Sequence, residues 1–250
     1  MNKHLSRSIT LLCIYLMIAR IGYAQERPKV LVFSKTLGYR HANIEAAAAV
    51  IRQLGQQHGF DVDHSEDVSL FTDEGLQPYQ ALIFLSTSGN LFNADQQAAF
   101  QRYIRKGKGL VGIHAASTTA YEWPWYGKLI GGYFDRHPAV QYADILVIDD
   151  KHPATRHLPT VWHREDEWYD FREMNSDVKL LLKLDENSYQ GGGMGANHPI
   201  AWYHEYEGGR VFYTALGHTE ASFEDPVFQQ HIVGGIWYAI QGDLATGSKN

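Results

Sequence analysis

The sequence predicts an α/β fold built on a largely parallel sheet, and three observations lead there. Short apolar, β-branched runs alternate with amphipathic segments through the first half of the chain. Their spacing suits right-handed crossovers with helices covering both faces. One of the runs, Ala81 to Leu85, is apolar throughout, as a strand buried on both faces must be.

In order, Lys29 to Ser34 is read as the first strand. A polar loop follows, then a helix whose apolar positions are Ile44, Ala48, Ile51 and Leu54. Phe60 to His64 alternates as the second strand, and Ala81 to Leu85 is the third. The next helix carries its own punctuation: Asn93 caps it, Gln96 completes a capping box, Phe100, Tyr103 and Ile104 form its stripe, and Gly107 ends it. Leu110 to Ile113 is the fourth strand. The second half is richer in strands, at Val140 to Ile148, Val178 to Leu184, Pro199 to Tyr203 and Val211 to Ala215. A helix opened by Asp225-Pro226, with Phe228, Ile232, Gly235, Ile236 and Ala239 on one face and Gly242 after it, closes the chain. The architecture expected is a flavodoxin-like sandwich with a strand-rich C-terminal half, whose ligands would bind beyond the carboxyl ends of the strands.

Residues 1–24 have the order of a secretory signal peptide: Lys3 and Arg7, an apolar run from Ile9 to Ala19, and a small-residue site at Gly22-Tyr23-Ala24. The run is about half the length a bilayer span requires, and Arg20 closes it, so no membrane span is expected after cleavage. Export to the periplasm or beyond is the expectation, with residues 25–250 as one domain. The only cysteine, Cys13, would leave with the leader. Removing Lys3, Arg7 and Arg20 from 22 basic residues against 28 acidic ones leaves an acidic chain, which excludes the basic surface that nucleic acid or an anionic membrane would select.

Four constellations are candidates for chemistry. Gly112-Ile113-His114-Ala115-Ala116 has the small-x-nucleophile-x-small form of a strand-end elbow, which would project His114 into a crevice. Gly217-His218-Thr219-Glu220 follows a strand, so His218 and Glu220 are read as a base and its orienting acid, or as metal ligands. Glu167 lies in a carboxylate run, Glu165 to Glu167, flanked by Trp162, His163, Trp168 and Tyr169; desolvation by those rings is expected to raise its pKa and suit it to proton transfer. His41 precedes the first helix at the same sheet edge. No HxH or HExxH spacing occurs among 13 histidines, so a divalent metal would need ligands from distant strands, with His41, His114 and His218 as the candidates. Gly191 to Gly195 is followed by a strand and lacks a Lys-Ser/Thr pair, so a mobile loop over the crevice is expected there in place of a phosphate loop.

Read together, Gly38-Tyr39-Arg40-His41, Gly112-Ile113-His114, Gly131-Gly132-Tyr133-Phe134 with His137-Pro138, Asp166-Glu167-Trp168-Tyr169, His198-Pro199-Ile200-Ala201-Trp202 and Gly209 to Glu220 resemble the ThuA-like, or trehalose-utilisation, family, in order from Lys29 to Gly242. The resemblance implies a fold similar to the class I glutamine amidotransferases, whose cysteine elbow matches His114 and whose His-x-Glu matches His218 and Glu220. With no cysteine at the elbow, a thiolate-dependent amidotransferase is excluded. The resemblance also implies a small-molecule carbohydrate as substrate, a disaccharide or glycoside or its 3-keto derivative, and a sugar dehydrogenase as partner in the same pathway. With 15 Tyr and 6 Trp, the chain has aromatic faces suited to sugar rings, and Tyr39, Trp168 and Tyr169, with His41, are the expected substrate contacts. A non-catalytic sugar-binding module is the competing reading.

Overall fold

The computed structural model describes residues 27–241, so the expected leader and its cleavage site lie outside the described residues. In chain order the elements are β1 (Lys29–Phe33), α1 (Ile44–His58), β2 (Asp61–Ser65), α2 (Asp73–Leu76), β3 (Ala81–Leu85), β4 (Ser88–Gly89), α3 (Ala94–Arg105), β5 (Gly109–Ile113), β6 (Thr118–Thr119), α4 (Pro124–Ile130), β7 (Tyr133–Arg136), β8 (Gln141–Val147), β9 (Val161–Asp166), β10 (Asp170–Arg172), β11 (Lys179–Leu184), β12 (His198–Tyr206), β13 (Gly209–Thr214), α5 (Glu220–Glu224) and α6 (Pro226–Gln241). No helix among the described residues is long and apolar enough to cross a membrane.

Nine strands form one sheet in the order β2-β1-β3-β5-β13-β12-β11-β8-β9. The first five run parallel, in the flavodoxin pattern. The remaining four are antiparallel, from β12 outward. The strand-rich second half is thus a continuation of the same sheet. β1, β3 and β5 are buried on nearly every residue, which is why their sequences are apolar without alternation.

The longer helices lay their apolar stripes on this sheet. Ala47, Ile51 and Leu54 of α1 are buried, as are Phe100, Tyr103 and Ile104 of α3. The Asn93 side chain accepts from the Gln96 amide and the Gln96 side chain accepts from the Asn93 amide, completing the capping box. α6 is buried on most of its surface, Phe228, Ile232, Ile236 and Ala239 included. Phe33, Phe71, Phe84, Phe92 and Phe100 pack ring against ring on one face.

Beyond the expected elements, the structure adds the edge strand β9. Its sequence VWHRED reads as polar, yet its burial alternates, with Trp162, Arg164 and Asp166 inward. It also adds the small antiparallel pair β7–β10, whose second strand begins directly after Trp168-Tyr169.

Candidate functional site

β5 ends on an elbow. His114, the residue after it, has φ +53, a left-handed conformation that non-glycine residues rarely adopt. Two groups hold it there. Its carbonyl accepts from the Tyr213 hydroxyl (2.8 Å), and its Nδ1 donates to the Ala215 carbonyl (2.7 Å). Because a carbonyl only accepts, Nδ1 carries the proton, and in the neutral ring the Nε2 lone pair faces the site.

Four polar atoms surround that one lone pair. The Tyr169 hydroxyl lies 2.9 Å from His114 Nε2, His41 Nε2 3.0 Å, His218 Nδ1 3.3 Å and Glu167 Oε2 3.4 Å. His218 Nδ1 is also 3.3 Å from Glu167 Oε2. The potential ligand atoms of His41, His114, Glu167 and His218 all lie within 4.8 Å of one another. One lone pair serves one hydrogen bond, so hydrogen bonding alone satisfies only part of this cluster. Donor atoms around a tetrahedral ion with bonds of about 2.0–2.2 Å stand roughly 3.3–3.6 Å apart, and the His41–His114, His114–His218, His114–Glu167 and His218–Glu167 separations, 3.0–3.4 Å, fall close to that. Three imidazoles and a carboxylate are a donor set that suits a divalent transition metal, so these residues fit one.

The electrostatics agree. Burial, reinforced by His114 and His218, pushes His41 down to about 3, so it is neutral and its lone pair is free to coordinate. Burial alone would raise Glu167, but the His114 and His218 imidazoles beside its Oε2 outweigh it and hold the carboxyl well below its ordinary range. This corrects the expectation of a raised pKa: the flanking Trp168 turns away, and the groups that reach Glu167 are imidazoles. His218 is raised in turn by its bond to Glu167.

The cluster opens on a cavity of about 280 Å³. Tyr39, Phe134 and Tyr169 give it aromatic walls, and Ala115, Thr118, His41, His137, Glu167 and His218 line the rest. Tyr39 is 71% exposed, a ring standing at the mouth. His137 was visible to sequence reading only as part of a motif. Its Nδ1 lies 2.8 Å from the Pro138 carbonyl and 3.1 Å from Glu167 Oε1. Both partners accept, so Nδ1 carries the proton and, in the neutral ring, Nε2 keeps its lone pair.

Of the expected site residues, His114, His218, His41, Glu167, Tyr39 and Tyr169 come together. Glu220 does not. It is the exposed first residue of α5, whose Thr219 cap bonds the Ser222 amide and turns position 220 to solvent, so Glu167 takes the place expected of it beside His218. Trp168 does not either: it is fully buried, and its indole N–H donates to the Gln141 carbonyl (2.9 Å). Strand-like alternation between neighbours sends Tyr169 to the cavity and Trp168 to the core. The glycine-rich loop is tethered at several points, with Met194 and Gly195 amides on Glu186 (2.8 Å each) and the Gly193 amide on Asp170 (3.3 Å), and it does not line the cavity.

Comparison with known proteins agrees with this fold. The family model described as "ThuA: Trehalose utilisation" matches residues 29–239. The chain belongs to the ThuA family. Among solved structures, a ThuA-like protein from Bacteroides uniformis is 27% identical, with a TM-score of 0.75 over 90% of this chain and 96% of that one. A ThuA-like protein from Parabacteroides merdae is 22% identical, with a TM-score of 0.70 over 89% and 93%. A cytoplasmic protein of Salmonella typhimurium shares the fold at 13% identity, with a TM-score of 0.62 over 85% and 99%. No curated protein matches the chain. The ThuA fold is of the glutamine amidotransferase type, and in this member the elbow position carries the imidazole of His114.

Proposed function

We propose that this ThuA protein is an exported enzyme that processes disaccharides or other glycosides, or their 3-keto derivatives, by acid–base chemistry assisted by a divalent metal. The observation that carries the reading is the convergence of His41, His114, His218 and Glu167 on one point beside an aromatic-walled cavity. Export rests on the pattern of residues 1–24, and the sugar class on family membership together with the rings of Tyr39, Phe134 and Tyr169.

A bound metal would supply Lewis acidity, polarising a carbonyl or hydroxyl of the sugar. The chain's own groups do the rest. In a 3-keto sugar the carbonyl acidifies the hydrogen at C2, and a base that removes it allows elimination: the C2–H electron pair forms the C1–C2 double bond as the C1–O bond breaks. His137 is the cavity residue left to take that proton, at Nε2, with Glu167 Oε1 orienting the ring through Nδ1 as a carboxylate orients histidine in hydrolytic triads. The leaving oxygen needs a proton in return, and the Tyr169 hydroxyl is the nearby donor. A sugar dehydrogenase upstream would be the source of the ketone.

The test is a product-resolved NMR assay of the chain from Gln25 with trehalose-type disaccharides and their 3-keto forms, with and without added divalent metals. His114→Ala and His218→Ala should abolish turnover together with metal binding, whereas His137→Ala should abolish turnover and keep the metal. Saturable sugar binding with no product under any condition would replace this reading with that of a sugar-binding module.

A further inference from the structure

We propose that Asp166, which is not one of the converging ligands, is the positioning residue of this site: a single buried carboxylate that fixes the Glu167 and His218 segments relative to each other. Asp166 is fully buried at the end of β9. Its Oδ1 accepts from the backbone amides of Glu167 and His218, both at 3.0 Å. Its Oδ2 accepts from the Gly217 amide (3.0 Å) and from the Ser222 hydroxyl (3.3 Å), and Arg164 pairs with it at 3.2 Å. Two segments of the chain that are far apart in sequence and contribute half of the ligand set are thus hung on one side chain.

Burying a carboxylate this completely is unfavourable unless donors surround it, and here three of the donors are main-chain amides of the site itself, beside Ser222 and Arg164. Gly217 explains why they need holding. Its φ of +106 is a conformation that glycine adopts freely, so that turn has little intrinsic preference to keep His218 in place. Asp166 restrains its amide, and the Asn43 side chain donates to its carbonyl at 2.8 Å, which ties the same residue to the segment that carries His41. Aspartate is the side chain that suits the position. Asparagine offers one acceptor oxygen and would turn an NH2 group toward the N–H donors on the other side. Metal affinity would then depend on a residue outside the ligand set, as outer partners of metal ligands commonly require.

The inference rests on the metal reading for its affinity arm alone. Co²⁺ titration of the chain from Gln25, followed by visible absorption and by Zn²⁺ competition, would compare wild type with Asp166→Asn, Asp166→Ala, the milder Ser222→Ala, and Leu54→Ala as a remote destabilised control. Amide hydrogen exchange on the metal-free proteins would run beside it. Both Asp166 variants are expected to lose about 10–100-fold in affinity, with a weakened tetrahedral cobalt spectrum and faster exchange at Glu167, Gly217 and His218. Ser222→Ala should lose less, and Leu54→Ala should unfold more readily while binding Co²⁺ as wild type does. Wild-type affinity in Asp166→Asn, or an equal loss in Leu54→Ala, would overturn the proposal. If wild type takes up neither metal, the metal reading fails and exchange decides alone: unchanged protection at those three amides in the Asp166 variants, or in Ser222→Ala should neither of them fold, would overturn the positioning role as well.

Discussion

At the scale of single residues, His114 shows why the site needs a folded frame. Holding a non-glycine residue in the left-handed region costs about 1–2 kcal/mol, offset here by the bonds from Tyr213 and to Ala215. The same bond to Ala215 fixes the tautomer, so backbone geometry and coordinating ability are one property of the residue. Glu167 is the other half of the arrangement, a carboxylate kept ionised by imidazoles on one oxygen while the other faces His137. Glu167→Gln preserves shape but removes charge, and metal affinity measured by calorimetry should fall by at least about 100-fold, the upper end of what losing an outer partner does. Glu220→Ala should leave it unchanged, and an equal effect of the two would return Glu220 to the role its spacing suggested. The three histidines were legible in the sequence because each follows a strand at one edge. The choice between Glu167 and Glu220 was not, because it depends on a helix cap at Thr219 that turns one outward and on Asp166 holding the other inward.

Elements that carry their own punctuation were the most legible. The α3 capping box was readable from Asn93 and Gln96, and Asn93→Ala should cost about 1 kcal/mol in urea unfolding, with the midpoint shifted and the slope kept. A larger cost belongs to Gly131, the C-cap of α4, which sits at φ +100 against the Trp202 indole. A methyl group there would meet Trp202 Nε1, which donates to the Ile130 carbonyl at 2.9 Å. Gly131→Ala combines backbone strain with overpacking, so about 2–4 kcal/mol is expected, and a loss no greater than that of Asn93→Ala would show that Trp202 simply shifts aside. β9 was not legible. Its polar sequence hides an alternation whose inward side is partly ionic: Arg164 pairs with Asp166 and lies over the Trp162 ring. A pattern search for apolar residues passes over such a strand, since its burial is satisfied by charge pairing and cation–π contact.

Over the whole molecule, the sheet changes from parallel to antiparallel beside β13, and the site stands where β5 and β13 deliver His114 and the turn to His218. The parallel half was legible as such. In the antiparallel half β8, β11 and β12 were legible as strands but their order was not, because pairing partners are set by tertiary contacts that sequence periodicity does not encode. The same core holds ionisable groups that should make the fold acid-sensitive. His231 is fully buried between α6 and β13. Its Nδ1 donates to the Ala154 carbonyl (2.8 Å) and its Nε2 lies 3.1 Å from the Thr214 hydroxyl. Burial pushes it down to about 3, and burial pushes His204 down to about 4 despite its bond to the Lys128 carbonyl. In the unfolded chain both titrate near 6.5, so below that pH the unfolded state binds protons that the folded state refuses. The contribution of these two histidines should therefore be flat above about pH 7 and fall as the pH drops from 6.5 toward 4, by about 1.4 kcal/mol per unit for each. His218, raised by Glu167, has the opposite sign: its contribution is present below its unfolded pKa and is lost as the pH rises through its folded value. Urea unfolding at pH 7.5, 6 and 5 should show the midpoint falling toward acid with an unchanged slope. His231→Gln, which keeps a donor and an acceptor but no titrating group, should remove about 1.4 kcal/mol per unit of that fall. A midpoint that falls as steeply in His231→Gln as in wild type would mean that the acid sensitivity arises elsewhere, with His204→Gln the next variant to measure.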